Sequence, residues 1–166
     1  MNLRVGIGFD RHRFVSGRPF ILGGVEIPFG YGLLGHSDGD CLVHSIIDSL
    51  LGAANLGDIG TLFPDTDESL RGIRSLVLLE RVKDILLSRG VKVANVDSVV
   101  ITDEPILREY IPTMKENISF ALGIELARVS IKGKRTEGTV PTGEDGYLDS
   151  ITVSLVEFEG ESNARD

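Results

Sequence analysis

The sequence predicts an α+β fold, a mixed two-layer sandwich in which a sheet of four-stranded type packs on about three helices. Three observations support this. The segment 147–158 alternates between apolar and polar residues, which is typical of a half-buried strand. Apolar residues in 42–51 recur instead at helical spacing. The chain has 166 residues, 42% of them hydrophobic, which suffices for one globular core.

Each element in the first part of the chain follows from a local signal. The segment LRVGIGFD, residues 3–10, predicts a first strand. Gly23-Gly24 between two short apolar runs predicts a hairpin. Ser37, followed three residues later by Asp40, resembles a capping box with Asp in place of Glu. It would mark the start of the first helix, although Ser37 could equally contact a substrate.

The rest of the chain continues the same two-layer pattern. About sixteen residues, 57–72, show little periodicity, and loops of that length inside a compact domain are usually functional or disordered. The remaining predicted elements are a helix at 75–89, a strand at 93–101, a helix at about 107–121 and strands at 129–132 and 147–158. We therefore expect a single domain over 1–158 and a frayed tail over 159–166.

Composition excludes several classes of function. The net charge of −8 disfavours nucleic-acid binding and leaves no basic patch for a membrane surface. No apolar run reaches the roughly 18 residues of a membrane span, and the N-terminus lacks the apolar core of a signal peptide. The single cysteine, Cys41, cannot form an internal disulfide, which fits a reducing cytoplasm.

The histidines suggest a metal site. All three lie in the first 44 residues. In a strand, Asp10 and His12 point to the same face. His44 borders the apolar stripe of the first helix, so Asp10, His12 and His44 can converge on one ion. Zinc accepts such ligands and in catalytic sites keeps a fourth position open. The alternative is structural, because an Asp-x-His pair is common by chance and a histidine beside a core face is usually just hydrogen-bonded.

Nearby carboxylates are candidates for orienting a ligand imidazole from outside the metal shell. Asp48 lies one helical turn after His44 on the same side, and Asp38 and Asp40 lie in the preceding loop.

The motifs together resemble one family over nearly the whole chain. FDRHRF, then GGVEIP, then GLLGHSDGDCLVHSIIDSLLGAANLGDIGTLFPDTD are similar to the 2-C-methyl-D-erythritol 2,4-cyclodiphosphate synthases of the non-mevalonate isoprenoid pathway. The resemblance implies a homotrimer with active sites between neighbouring subunits. It implies a phosphorus–oxygen lyase that converts 4-diphosphocytidyl-2-C-methyl-D-erythritol 2-phosphate to the cyclic diphosphate and releases CMP.

The resemblance also implies roles for individual residues. Asp10, His12 and His44 would hold Zn²⁺, and Glu137, with Thr136 beside it, would hold Mg²⁺ or Mn²⁺ on the diphosphate. These five are the implied catalytic residues. The implied substrate contacts are His36 and Ser37 at the methylerythritol phosphate, Asp58 and Gly60 at the ribose, Phe63 and Asp65 in the same pocket, and Thr102, Pro105, Ile106 and Leu107 at the cytosine, from a neighbouring subunit.

Such a reaction needs no enzymatic base. The nucleophile would be the substrate's own 2-phosphate, whose second pKa of about 6 leaves it largely dianionic at neutral pH. The difficulty is bringing two anions together, and two divalent cations would neutralise that charge and polarise phosphorus. The cations would also compensate the acidic net charge of the chain.

The sequence departs from the usual family pattern at three places. Lys134 and Arg135 stand where small hydroxyl residues are common before the metal-binding Glu, and they could bind phosphate directly. Ile106 stands where a Lys commonly follows the Pro of the nucleotide pocket. Glu144 replaces an Arg that in many members faces a central cavity able to hold isoprenoid diphosphates, so we expect no such binding here.

Other functions stay open on the sequence alone. A zinc phosphohydrolase would use metal-bound water and release free phosphate. A non-catalytic trimer would bind cytidine nucleotides or isoprenoid diphosphates without turnover. A purely structural trimer would not require the polar loops that hold His36, Ser37, Asp58 and Asp65.

Overall fold

The computed structural model describes residues 2–141, 143–144 and 146–159. Most of the predicted tail, residues 160–166, therefore lies outside the described residues. The backbone N–H of Glu159 donates to the carbonyl oxygen of Gly90 at 2.7 Å. Within the described ranges, no helix has the length and apolar character needed to cross a membrane.

The chain forms seven strands, four α-helices and two short 3₁₀ turns in the part that the structure describes. In chain order these are β1 (Asn2–Val15), β2 (Phe20–Leu22), β3 (Val25–Ile27), β4 (Gly32–Leu33), α1 (Cys41–Ala54), α2 (Ile59–Leu62), a 3₁₀ turn (Glu68–Leu70), α3 (Ser75–Ser88), β5 (Val91–Ile101), α4 (Ile111–Leu122), a second 3₁₀ turn (Leu126–Arg128), β6 (Val129–Lys134) and β7 (Tyr147–Phe158).

The main sheet has five strands in the order β4-β1-β7-β5-β6, one more than predicted. The additional strand is β4, whose two residues pair with the end of β1 through Phe14 and Leu33. A two-residue strand carries no periodicity that a sequence could reveal. Only β5 and β6 run parallel, while the other pairs in this sheet are antiparallel. The predicted α+β architecture is confirmed, and β2 and β3 form the predicted hairpin around Gly23-Gly24.

The helices differ from prediction mainly at their ends. The helix predicted over 107–121 begins at Ile111, because Pro112 fits the first turn of a helix, where no backbone donor is required. The segment 57–72 is less irregular than expected, since it contains α2 and the first 3₁₀ turn. The residue that caps α1 is Asp40, not Ser37: its carboxylate accepts a hydrogen bond from the backbone N–H of Val43.

The core lies between the inner face of the sheet and α1. Every second residue of β1 points inward, and two of these are Gly6 and Gly8. A Cβ added at Gly6 would lie 1.9 Å from the carbonyl oxygen of Ser49, and one at Gly8 would lie 2.0 Å from that of Ser45. Helix α1 therefore lies almost directly on the backbone of β1.

Small hydroxyl residues on β7 make the same close approach possible. Ser150 and Thr152 are fully buried, and each hydroxyl lies 2.8 Å from the hydroxyl of Ser45 on α1. Thr152 also bonds to Ser98 on β5 at 2.8 Å. This buried hydroxyl network satisfies groups that would otherwise be costly to bury.

Candidate active site

Strand β1 and helix α1 bring three metal-ligand side chains to one point. Asp10 Oδ2 lies 2.7 Å from His12 Nε2 and 3.2 Å from His44 Nδ1, and the two imidazole nitrogens are 3.1 Å apart. The convergence depends on the glycines described above, because they allow α1 to approach β1 closely enough for His44 to reach Asp10. These residues form a candidate site for a divalent metal ion.

The other nitrogen of each imidazole has its own partner. His12 Nδ1 is in hydrogen-bond contact with the carbonyl oxygen of Leu34. His44 Nε2 lies 2.9 Å from the hydroxyl of Ser75 and 3.1 Å from that of Ser37. A carbonyl oxygen can only accept, so Nδ1 of His12 carries a proton and Nε2 is left to face the site.

Electrostatics favour charge separation within this group. Burial raises the pKa of Asp10, but the contacts of its carboxylate with His12 and His44 outweigh burial, so the net pKa is well below the usual range. Burial lowers the pKa of His12, whereas the Asp10 carboxylate raises it, and the net pKa is raised. An ionised carboxylate beside two imidazoles is the arrangement that a bound cation requires.

The three carboxylates predicted to orient a ligand imidazole accept hydrogen bonds from different parts of the chain. Asp38 accepts a hydrogen bond from the Ser75 hydroxyl and another from the Ser75 backbone N–H at 3.0 Å. Asp40 is fully buried and accepts from the backbone N–H groups of Gly23 and Gly24 at 2.9 and 2.7 Å. Asp48 accepts from the backbone N–H of Ile59 at 2.8 Å, which ties α1 to the start of α2.

A cavity of about 410 Å³ opens directly over the three candidate ligands. Its lining includes five of the predicted substrate-binding residues, namely His36, Ser37, Gly60, Phe63 and Asp65. The Nε2 atom of His36 is buried and, among the described protein atoms, has no hydrogen-bond partner. A buried polar atom of this kind at a cavity wall is available to a ligand.

Asp58 does not line this cavity. Its carboxylate caps α2 by accepting from the backbone N–H and the hydroxyl of Thr61 at 2.8 and 2.7 Å. These hydrogen bonds lower the pKa of Asp58. Asp58 therefore has a local structural role at the start of α2.

A second cavity of about 660 Å³ lies near the β6 edge of the sheet, between the loop after β5 and the end of β6. It brings together every residue predicted for the nucleotide base, together with both cations that depart from the family pattern: Thr102, Pro105, Ile106, Leu107, Lys134 and Arg135. In one chain the two cavities have no lining residue in common.

The turn after β6 is held by a residue that the sequence did not single out. Asp103 accepts hydrogen bonds from the backbone N–H of Thr136 at 2.7 Å, from the Thr136 hydroxyl, and from the backbone N–H of Gly138 at 3.1 Å. Between them, Glu137 adopts a left-handed conformation with φ of 55° and is exposed. Asp103 therefore fixes the backbone that presents Glu137.

Two further contacts near the metal ligands were not predicted. Ser75 lies at the first position of α3 yet touches His44. Arg18 donates to the carbonyl oxygens of Gly35 and Ser37 at 2.6 and 2.8 Å, which fixes the loop before α1. Both residues are distant in sequence from the groups they hold, so no local pattern marks them.

Comparison with known proteins agrees with this geometry. Residues 3–157 match the sequence model of the YgbB family. The chain belongs to the YgbB family. The predicted relationship to the cyclodiphosphate synthases is thereby confirmed, since a YgbB-family relative from Clostridium beijerinckii, named 2-C-methyl-D-erythritol 2,4-cyclodiphosphate synthase, is 49% identical over 93% of this chain and 98% of its own length.

Solved structures extend the likeness of this YgbB-family chain to the fold. A 2C-methyl-D-erythritol-2,4-cyclodiphosphate synthase in a CDP-bound form is 37% identical, with a TM-score of 0.85, over 93% of this chain and all of its own. The bifunctional IspDF from Campylobacter jejuni is 35% identical with a TM-score of 0.89, over 95% of this chain. This chain spans only 43% of that longer protein.

Proposed function

We propose that the first cavity is where this chain carries out the cyclodiphosphate synthase reaction of its relatives. An oxygen of the substrate's 2-phosphate attacks the β-phosphorus of the cytidine diphosphate. The bond from the β-phosphorus to the bridging oxygen breaks, and CMP leaves with that electron pair. The product is 2-C-methyl-D-erythritol 2,4-cyclodiphosphate, so the enzyme is a phosphorus–oxygen lyase of isoprenoid precursor synthesis. The activity and the enzyme class predicted from the sequence agree with the names of the relatives.

The observation that carries this proposal is the convergence of Asp10, His12 and His44 at the base of a cavity. One carboxylate and two imidazoles suit Zn²⁺, with a coordination position left for a phosphate oxygen. Glu137 would hold Mg²⁺ or Mn²⁺. When bound, such cations neutralise phosphate charge and polarise phosphorus.

The chain itself binds and orients the substrate. His36 and Ser37 would hold the methylerythritol phosphate. The Nε2 atom of His36 is buried and has no hydrogen-bond partner among the described protein atoms. Gly60, Phe63 and Asp65 would line the diphosphate and ribose side of the same cavity, with Asp58 fixing α2 beneath them. These residues need only position the two phosphates, because a dianionic phosphate attacks without a base.

The second cavity would hold the cytosine of a substrate bound to a neighbouring subunit. Thr102, Pro105, Ile106 and Leu107 would surround the base. Lys134 and Arg135 would supply positive charge to its phosphates, and Thr136 would contact the phosphate chain beside Glu137. The two cavities share no lining residue in the described part of the chain, which supports this division.

We further propose a homotrimer assembled through the outer face of the sheet. Val5, Ile7 and Phe9 point away from α1 on β1 and are 66%, 70% and 52% exposed. Val153 on β7 lies opposite Ile7 and continues the same apolar surface. Contiguous exposed apolar surface of this kind is typical of subunit interfaces.

We propose a cytoplasmic enzyme whose single catalytic domain covers 1–158.

A ³¹P NMR time course with the cytidine diphosphate substrate, Zn²⁺ and Mg²⁺ tests the proposal. We expect wild-type protein to form the cyclic diphosphate and CMP, and His44→Ala to form neither. Ser49→Ala is the matched control, because Ser49 lies on the same helix and its hydroxyl donates only to the carbonyl of Ile46 at 2.8 Å.

Two outcomes would contradict the proposal. Free phosphate carrying ¹⁸O from labelled water would indicate a hydrolase. Nucleotide binding with no product would indicate a binding protein, and would direct attention to Lys134, Arg135 and Ile106.

A further inference from the structure

We infer that Ser75 and Asp38 form a hydrogen-bond relay that orients His44 for metal binding, and that Ser75 is a positioning residue of the metal centre. The inference rests on the metal centre proposed above. Neither residue touches the predicted ligand atoms of Asp10 or His12, so any effect passes through the imidazole of His44.

The relay begins at a carboxylate. Asp38 Oδ1 accepts the hydrogen bond of the Ser75 hydroxyl, and Asp38 Oδ2 accepts from the Ser75 backbone N–H at 3.0 Å. Both oxygens of one carboxylate are thereby committed to one residue. Because the hydroxyl proton of Ser75 is directed to Asp38, the oxygen presents a lone pair on its other side.

That lone pair faces His44. Ser75 Oγ lies 2.9 Å from His44 Nε2, and both residues are buried. With its proton committed to Asp38, the hydroxyl can only accept a hydrogen bond from Nε2–H. A neutral imidazole with a proton on Nε2 has its free lone pair on Nδ1, which is the atom that faces Asp10 and His12.

Ser37 offers a useful contrast at nearly the same distance. Its hydroxyl lies 3.1 Å from His44 Nε2 and accepts from the backbone N–H of Gly39 at 3.3 Å. Its other hydroxyl neighbour is Ser75 Oγ at 3.4 Å, and no described carboxylate accepts its proton, so the direction of that proton is not fixed. Ser37 therefore does not select a tautomer, whereas Ser75 does.

The relay also links two parts of the fold. Arg74, at the start of α3, makes no side-chain capping bond, and Asp38 supplies that cap from the loop before α1. The position of α3 is therefore coupled to the orientation of a metal ligand on α1. Partners of this kind typically change metal affinity by about 10- to 100-fold when removed.

The test is zinc affinity, measured without substrate by competition with a chromophoric chelator. We expect Ser75→Ala to weaken Zn²⁺ binding by about 10- to 100-fold, Ser37→Ala to weaken it less, and Ser75→Thr, which keeps the hydroxyl, to restore most of the loss. Ser49→Ala controls for deletion of a buried serine hydroxyl elsewhere, and it should bind zinc as wild type does.

A second measurement keeps the inference testable if Ser75→Ala does not fold. In zinc-loaded wild-type protein, the Nε2–H proton of His44 should give a downfield ¹H–¹⁵N signal that exchanges slowly with water, and Asp38→Asn should move it upfield.

Unchanged zinc affinity in Ser75→Ala, a larger loss in Ser37→Ala, or a rapidly exchanging Nε2–H in wild type would each overturn the relay. Neither measurement depends on turnover. A protein that binds zinc as expected but makes no cyclic diphosphate would contradict the proposed function and still support the relay.

Discussion

The two faces of strand β1 carry different side chains and meet different surroundings. The inward face presents Gly6, Gly8, Asp10 and His12 to helix α1. The outward face presents Val5, Ile7, Phe9 and Arg11, all exposed in the single chain. Arg11 pairs with Asp149 on the neighbouring strand and lies over the ring of Tyr147 at 4.0 Å.

The difference shows how one strand can serve two purposes. Alternation of side chains separates the two faces, so the inward residues can form the candidate metal site while the outward residues form the proposed interface. Substitutions at adjacent positions of β1 should therefore have separable effects on folding, metal binding and assembly. Three variants on β1 test this separation, and a fourth tests the inward face of the neighbouring strand β7.

The largest effect is expected from Gly8→Val on the inward face. The Cβ position is already 2.0 Å from the carbonyl oxygen of Ser45, and a backbone atom cannot move aside as a side chain can. We expect a loss of more than about 3 kcal/mol in the free energy of unfolding, measured by urea denaturation. Gly30→Val is the control, because no atom lies within 4 Å of a Cβ there. Equal stability of the two variants would refute the close contact between β1 and α1.

The next effect is expected from His12→Ala, also on the inward face. Removing a residue that only hydrogen-bonds to a ligand costs up to about 100-fold in metal affinity. His12→Ala removes a proposed ligand itself, so zinc affinity should fall by more than that. The unfolding midpoint of the metal-free protein should change little. Arg13→Ala, one residue along and pointing outward, should leave zinc affinity unchanged. If Arg13→Ala weakened zinc binding as much as His12→Ala, the two faces would not be independent.

A third variant, Ile7→Asp, changes the outward face. Ile7 is 70% exposed in the single chain, so the protomer should fold and bind zinc, whereas an unpaired charge in an apolar interface should prevent assembly. Sedimentation velocity at micromolar concentration should show monomers in place of the proposed trimer. Leu87→Asp is the control, since Leu87 is an apolar residue on α3 that is 52% exposed. A trimeric Ile7→Asp protein would place the interface elsewhere.

The smallest effect is expected from Ser154→Ala, on the inward face of β7 opposite Gly6. The Ser154 hydroxyl is buried and has no hydrogen-bond partner among the described protein atoms. Its removal should leave stability unchanged or raise it by up to about 1 kcal/mol in thermal unfolding. Ser98→Ala makes the matched comparison, because its hydroxyl bonds to Thr152 at 2.8 Å and its loss should destabilise. Destabilisation in Ser154→Ala would indicate a partner such as a bound water.

Much of this organisation could be predicted from local sequence. Alternation indicated β7 with the bounds later observed, and helical spacing indicated α1 and α3 within a few residues. The strand period alone placed Asp10 and His12 on one face. Contacts over long separations could not be predicted in this way. The fifth strand and the turn held by Asp103 both depend on where distant segments pack.

The sequence by itself determined the class of fold, the three candidate metal ligands and, through its motifs, the family. Periodicity and motif order are properties of neighbouring residues, so they survive without coordinates. Only the tertiary structure decided that Ser75 contacts both His44 and Asp38, that Asp48 bonds to Ile59, and that the two groups of predicted substrate-binding residues line separate cavities. Hydrogen-bond partners are chosen by distance and direction in space, and those are fixed only when α1 settles onto the glycines of β1.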